Sequence, residues 1–435
     1  MLDEPSFDQR DSWVLLTRTG KNTPGGALLR RYWQPVFMSA DLPSGSAPQP
    51  IKLLNEDLVL FRDEQNRPGL LGRKCAHRCA DLSYGRLEDG GLRCVYHGWL
   101  YDVNGRCLDQ PGEPDGGVAT RDRVQQLSYP CVERGGAIWA YLGPGEAPLF
   151  PDYAALTAPD EYRIAWRWRV RCNYLQGNEG NIDPIHTSYL HRFELDKDTS
   201  NLRNSISVFQ VDGAPKLAIQ NTRFGLRVFT ERRMPQGDRK ILRVTNLVMP
   251  NACAIGGYEA GLGRGGCSMF WHVPIDDTQH WRYEFIFHSK KKLPRHDMLA
   301  GAAAEIGPDG AFKRNRENRY LQNRDEMDTS FIGMGRNFLI HDTFVTESQG
   351  DIHDHRDEHL AHSDVAIVRG RRLLLEAMRD VAAGKDPLGV IRAETQNDYS
   401  DLVVLTEELD AAADNEAFCD TMTKERIYTL AQPLR

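Results

Sequence analysis

Two short motifs, Cys75-Ala-His77 and Cys94-Val-Tyr-His97, each offer one thiol and one imidazole to a shared metal site. Thiolates are soft ligands suited to iron–sulfur chemistry, and imidazoles suit iron as well as zinc. Two facing loops that each give one of both would hold a [2Fe–2S] cluster, with two cysteines on one iron and two histidines on the other. Histidine ligation raises the reduction potential above that of an all-cysteine cluster. Zinc is the alternative occupant, and a zinc protein would be colourless. Zinc-finger spacing, however, keeps the cysteines in one knuckle and the histidines in another. Here the two residue types alternate along the chain.

A second set lies in NEGNIDPIHTSYLHR, which contains Asp183, His186 and His191. Two neutral imidazoles and a carboxylate on one face of Fe(II) leave positions open for dioxygen and substrate, as in the facial triad of non-haem iron oxygenases. Residues five apart on an ideal helix point about 140° away from each other. Convergence of His186 and His191 therefore requires a bulged or broken turn between them. Taken alone, such a pair reads as surface or core histidines. Asp183 beside it and the cluster motif upstream reverse that reading.

Positioning two metal sites takes a long chain, and 435 residues allow two or three domains with a sizeable core. Hydrophobic and charged fractions of 40% and 26% are ordinary for a globular protein. A net charge of −7 gives no attraction to nucleic acid or an anionic membrane. No apolar run reaches the roughly 18–20 residues of a bilayer span. The opening MLDEPSFDQR lacks the basic-then-apolar layout of a secretory signal. Outside the cluster pair, Cys79, Cys107, Cys131, Cys172, Cys253, Cys267 and Cys419 follow no framework spacing. Reduced thiols in a cytoplasm are expected.

Strand-and-turn patterning runs through WQPVFMSA, IKLLNEDLVLF, GGLRCVYHGW, LYDVNGRCL and GGAIWAYLG, with Asn104-Gly105 as a strong turn signal. An all-β domain over residues 32–150 follows. Beyond APLFPDY, strands are predicted at 163–172, 216–249 and 268–290. Helices are predicted at 174–192, near 314–327, at 341–349, at 363–383 (capped by Ser363 and closed by Gly384) and near 400–413. Strands followed by helices argue for an α+β second domain.

Residues 73–102, RKCAHRCADLSYGRLEDGGLRCVYHGWLYD, resemble the Rieske [2Fe–2S] domain of ring-hydroxylating oxygenases. Respiratory Rieske proteins add a disulfide through a cysteine beside the second histidine. Tyr96 stands there, so Cys79 lacks that partner. The second segment resembles the family's D-x-x-H-x4-H signature, which makes His186 and His191 the ligands of a mononuclear Fe(II). The same signature gives Asp183 the role of a bridge to a Rieske histidine of a neighbouring subunit. FLIHDTFVTESQG resembles the helix that carries the third ligand, here Asp342, with Glu347 and Asp351 next in line. The stretch DIHDHRDEHLAHSDVAIVRGRRLLLEAM resembles the C-terminal region of the phthalate and chlorobenzoate dioxygenase branch. Its His353, His355, His359 and His362 read as capping or packing residues. Glu179 stands where some relatives carry an asparagine near the iron, and no role is carried over to it.

The resemblance implies a terminal oxygenase (alpha) subunit with an α+β fold. An N-terminal segment (1–31) packs on the catalytic domain, an all-β Rieske domain spans 32–150, and a helix-grip catalytic domain with an antiparallel sheet spans 151–435. It also implies a homotrimer fed by a flavin and iron–sulfur reductase, with or without a separate ferredoxin. GLGRGG at 261–266 does not open a helical pattern, so the chain has no dinucleotide fingerprint of its own. Relatives in this branch act mostly on aromatic carboxylates. An arginine fork suits a carboxylate, and Arg227 and Arg243 on the predicted sheet are the candidates. Cis-dihydroxylation of a phthalate-type or substituted benzoate is the favoured activity, with oxidative O- or N-demethylation as runner-up. A pure electron carrier, lacking the mononuclear iron, is the reading from a different class.

Overall fold

The computed structural model describes residues 12–192, 212–235, 237–256, 264–294 and 304–428. The first part of the 1–31 segment and residues 261–263 of the glycine-rich stretch lie outside the described residues.

Short strands fill the chain as far as Tyr141. They are β1 (Trp33–Met38), β2 (Gln49–Leu53), β3 (Glu56–Arg62), β4 (Pro68–Gly72), β5 (Arg86–Glu88), β6 (Gly91–Arg93), β7 (Leu100–Tyr101), β8 (Cys107–Asp109), β9 (Ser128–Tyr129), β10 (Cys131–Arg134) and β11 (Ala137–Tyr141). They form three small antiparallel sheets, ordered β1–β11–β10, β2–β3–β4–β9 and β5–β6–β7–β8. One cysteine–histidine loop joins β4 to β5, and the other joins β6 to β7. The Asn104-Gly105 turn closes β7 onto β8 with Gly105 at φ +77°. A Cβ there would meet the Gln126 carbonyl at 2.2 Å, so only glycine fits.

The remainder is built on one antiparallel sheet of β12 (Arg163–Val170), β13 (Lys216–Thr222), β14 (Gly225–Arg233), β15 (Arg239–Val248), β16 (Ala252–Ile255), β17 (Gly266–Asp276), β18 (Gln279–His288) and β19 (Leu405–Asp410). The order is β12–β18–β17–β16–β15–β14–β13, with β19 on β15. Gly266 of the glycine-rich stretch opens a strand. The described helices are α1 (Ser12–Thr17), α2 (Pro24–Leu29), α3 (Ala154–Thr157), α4 (Tyr174–Ile182), α5 (Phe338–Ser348), α6 (Val365–Ala382) and α7 (Asn415–Lys424). Helices α1 and α2 pack on α6. No described helix is long and apolar enough to cross a membrane.

Three expected helices differ. The 400–413 segment is β19 instead, because β16 pairs only with residues 246–248 of β15 and leaves the edge at 239–244 for Leu405–Asp410 to occupy. The helix at 174–192 stops at Ile182, since Asp183 is extended (φ −73°, ψ 119°) before Pro184. Proline disfavours helical backbone in the residue before it. The 314–327 region forms short 3-10 turns, interrupted by positive φ at Arg319 and Tyr320. The long helix is found at Val365–Ala382 and ends near Gly384, although Asp364 rather than Ser363 is the residue at its start.

Strand register fixes which side chains share a face of the large sheet. Trp168, Arg282, Glu284, Phe270, His272, Cys253, Leu247, Arg243, Thr230 and Arg232 lie on one side. Helix α4 covers this side: Cys253 Sγ lies 3.2 Å from Asn178 Oδ1. The opposite face carries Trp271 and Phe285, which pack on Trp139 of β11 at ring separations of 5.1 and 5.5 Å.

Candidate metal centres

The two cysteine–histidine loops are near copies of each other. Cys75 N–H donates to Ala80 O and Cys79 N–H to Cys75 O; Cys94 N–H donates to Trp99 O and Gly98 N–H to Cys94 O. Each loop thus needs positive φ four residues after its cysteine, supplied by Cys79 (+59°) and Gly98 (+77°). The loops bring the buried Cys75 and Cys94 together and set the His77 and His97 ring centroids 4.5 Å apart. Trp99 stacks on His77 at 4.3 Å, and Tyr101 Oη lies 3.2 Å from Cys75 Sγ.

Burial pushes the Cys94 thiol pKa up; the Tyr96 backbone N–H works against this, and Cys75 alongside adds to it. Nδ1 of His97 is buried without a hydrogen-bond partner. A pair of buried thiols and a pair of imidazoles, one with an unsatisfied ring nitrogen, are a donor set that fits a mixed-ligand [2Fe–2S] cluster.

The second centre forms where α4 breaks. Its first turn is set by Asp183, whose Oδ1 accepts from Ile185 N–H at 2.7 Å, followed by a 3-10 turn over His186–Ser188. The break between Asp183 and His191 is what the five-residue spacing demands. Arg232 on β14 ties this turn to the sheet through Pro184 O at 2.9 Å and the Thr187 and Ser188 hydroxyls at 3.2 Å. Asp342 arrives from α5, which Asn337 caps at Leu339 N–H. Gln176 clamps α4 to α5 by donating to Thr346 O at 2.9 Å.

One donor atom each from His186, His191 and Asp342 lies within 4.8 Å of the other two. Asp342 Oδ1 is 3.0 Å from His191 Nε2 and 3.8 Å from His186 Nε2. Burial opposes the ionised form of Asp342, but His191, Arg282 and His186 outweigh it and hold the carboxyl well below the usual carboxylate range. Burial lowers His191, whereas His186 is raised because Asp183 at 3.3 Å overcomes its burial. Three converging, mostly buried donors of N, N and O type fit a divalent iron.

The two arginines separate. Arg243 is buried on the face that α4 covers, the face from which Arg232 reaches the histidine turn, and its charge is among the groups lowering both His186 and His191. Arg227 lies on the reverse face, where it donates to Gln220 Oε1 and to Asp401 O. Strand parity puts it there, since Arg227 pairs with Asn246 while Arg243 pairs with Thr230. Glu347 and Asp351 are otherwise engaged: Glu347 accepts from Arg171 N–H and Tyr320 Oη, and Asp351 pairs with Arg316.

His353 pairs with Glu358 at 3.0 Å and His355 packs on His353. Glu179, His355 and Glu358 also converge, but Arg371 forks onto both carboxylates at 2.6–2.8 Å and already supplies their countercharge. Sequence spacing did not single out Arg282, which lies 3.5 Å from Asp342, or His341 beside it. His341 directly precedes Asp342 in the chain.

Two family models match the chain. Residues 32–127 match the Rieske [2Fe-2S] domain, and residues 140–416 match the LigXa C-terminal domain like family. The chain is 33% identical over 390 residues to the phenoxybenzoate dioxygenase subunit alpha of Ectopseudomonas oleovorans, covering 86% of this chain and 87% of that protein. It is 30% identical over 393 residues to the 5,5'-dehydrodivanillate O-demethylase oxygenase subunit of Sphingobium sp. (strain NBRC 103272 / SYK-6), covering 89% and 84%. The crystal structure of dicamba monooxygenase bound to dicamba shares the fold, with a TM-score of 0.57 at 19% identity over 82% of this chain and 99% of that one. The chain belongs to the Rieske non-haem iron oxygenases, enzymes that incorporate dioxygen with a Rieske cluster and a mononuclear iron, as a terminal oxygenase subunit of the branch that includes the phthalate and chlorobenzoate dioxygenases.

Proposed function

We propose that Cys75, His77, Cys94 and His97 hold the Rieske cluster, that His186, His191 and Asp342 hold the mononuclear iron, and that the substrate is an aromatic carboxylate of the phthalate or substituted benzoate type. The carrying observation is Arg243, buried on the sheet face from which Arg232 reaches the His186–Ser188 turn, with its charge acting on both histidines. A guanidinium there binds a carboxylate through two parallel N–H···O bonds and fixes the ring's orientation. Leu226, Val228 and Phe270 are buried apolar side chains on that face. Bound metal supplies dioxygen activation, with electrons delivered singly through the cluster. The chain's part is to orient the ring, exclude water and keep His186 in one orientation through Asp183. Cis-dihydroxylation is the reaction this reading favours. Electrons come from a separate NAD(P)H-dependent flavin reductase, with or without a ferredoxin, to a homotrimer in the cytoplasm.

Oxygen uptake with a surrogate reductase across a panel of benzoates, phthalates and their methyl esters tests this. Acids should turn over and esters should not. Arg243→Leu should raise KM for the acids by about tenfold or more, a loss of at least 1.4 kcal/mol. Equal turnover of acids and esters would remove the carboxylate reading. Labelled dioxygen separates the reactions: a diol carrying two labelled oxygens marks dihydroxylation. Formaldehyde release marks the demethylation named for the Sphingobium relative.

A further inference from the structure

His191 is gripped on both ring nitrogens by consecutive residues of α5. Its Nε2 lies 3.0 Å from Asp342 Oδ1, and its Nδ1 lies 3.2 Å from Nδ1 of His341. The two imidazoles are nearly parallel, 19° apart. His341 is fully buried, and its other nitrogen, Nε2, lies 3.0 Å from Gly335 O.

These contacts determine where the protons are. A carbonyl oxygen only accepts, so Nε2 of His341 carries its proton and points it at Gly335. A neutral imidazole has one donor and one acceptor nitrogen, which leaves His341 Nδ1 as an acceptor. His191 Nδ1 must then be the donor across the 3.2 Å contact, and the lone pair of His191 is confined to Nε2. That lone pair faces a carboxylate oxygen, an arrangement satisfied by a cation between them.

We infer that His341 is a positioning residue for the iron centre: it locks His191 in the Nδ1–H tautomer and sets its ring plane, so that Nε2 alone is presented to the metal. This rests on the assignment of His191 as a ligand. It also makes the two histidines unequal, because His186 is backed by the Asp183 carboxylate and His191 by a neutral ring. Outer partners of this kind generally account for about 10–100-fold in metal affinity.

Two substitutions divide the two ends of His341. In His341→Asn the side-chain oxygen falls near the place of Nδ1, so the acceptor for His191 is kept and the link to Gly335 is lost. In His341→Gln the amide reaches toward Gly335 and a methylene stands where His191 needs its acceptor. Fe(II) and Co(II) affinities are measured by anaerobic equilibrium dialysis against a chelator buffer, with the Rieske electron paramagnetic resonance signal confirming that each variant is folded. His341→Asn should bind within a few-fold of the parent, and His341→Gln should bind about 10–100-fold more weakly. Glutamine binding as tightly as asparagine, or more tightly, overturns the tautomer lock. Failure of the ligand assignment looks different: His191→Ala would then bind the metal as tightly as the parent.

Discussion

Asp183 backs His186, with its Oδ2 3.3 Å from Nδ1 on the side of the ring away from Asp342. Burial opposes ionisation of Asp183, yet the His186 ring and the Ile185 and His186 backbone N–H groups hold its pKa below the usual carboxylate range. The carboxylate is therefore charged throughout the working pH range and orients the ring. Asp183→Asn should keep full iron content and lose about 10–100-fold in turnover, the usual cost of removing such a partner. Single-turnover reoxidation of the reduced cluster, alongside iron analysis, checks this; unchanged reoxidation would rule the role out.

Alanine at His186, His191 or Asp342 should remove the iron beyond the cluster's two while leaving the Rieske signal intact. Cys75→Ala should do the reverse. If clusters serve irons of neighbouring subunits, co-expressing Cys75→Ala with His186→Ala chains restores partial activity that neither has alone. Verified mixed trimers with no activity would place electron transfer within one chain.

The two cluster loops require left-handed backbone at equivalent positions, but the requirement is strict in only one. A Cβ on Gly98 would lie 2.5 Å from Pro111 Cγ, whereas Cys79 already adopts φ +59° with its side chain exposed. Gly98→Ala should lower cluster occupancy sharply. Cys79→Gly should leave it unchanged, because glycine relieves about 1–2 kcal/mol of left-handed strain while losing up to about 1 kcal/mol to chain entropy. Absorbance of the cluster per chain is the readout.

His272 and His280 are buried side by side, 3.0 Å apart, under α4, where a Cβ on Gly177 would strike His272 Nδ1 at 2.5 Å. Burial pushes His280 down to about 4 and His272 well below its ordinary value. In the unfolded chain both titrate near 6.5. Below that pH the unfolded state binds protons that the folded state refuses, so stability falls as pH drops from about 6.5 toward 4. The urea midpoint should decline across this window, and His280→Gln should flatten the decline. A slope unchanged by that substitution would contradict the assignment.

The sequence by itself offered Cys75, His77, Cys94 and His97 and the pair His186 and His191 as candidate donors, since each set is a local run whose residue types and spacing point to ligand chemistry before any folding, whereas Asp342 joins the histidines only in the folded chain. It determined the β-rich first domain, where alternation and turn residues repeat every few positions. It also required the break between His186 and His191, because helical geometry forbids their convergence otherwise. Tertiary structure decided the rest. Arg227 and Arg243 look alike in sequence, and only the register of β14 on β15 sends one behind the sheet and the other to the face that α4 covers. The segment near 400–413 has helical composition, but the free edge of β15 makes part of it a strand. His341 reads as an ordinary helix residue until α5 docks on the broken turn. Its partner, His191, is 150 residues earlier in the chain, and no local pattern records a contact made across that distance.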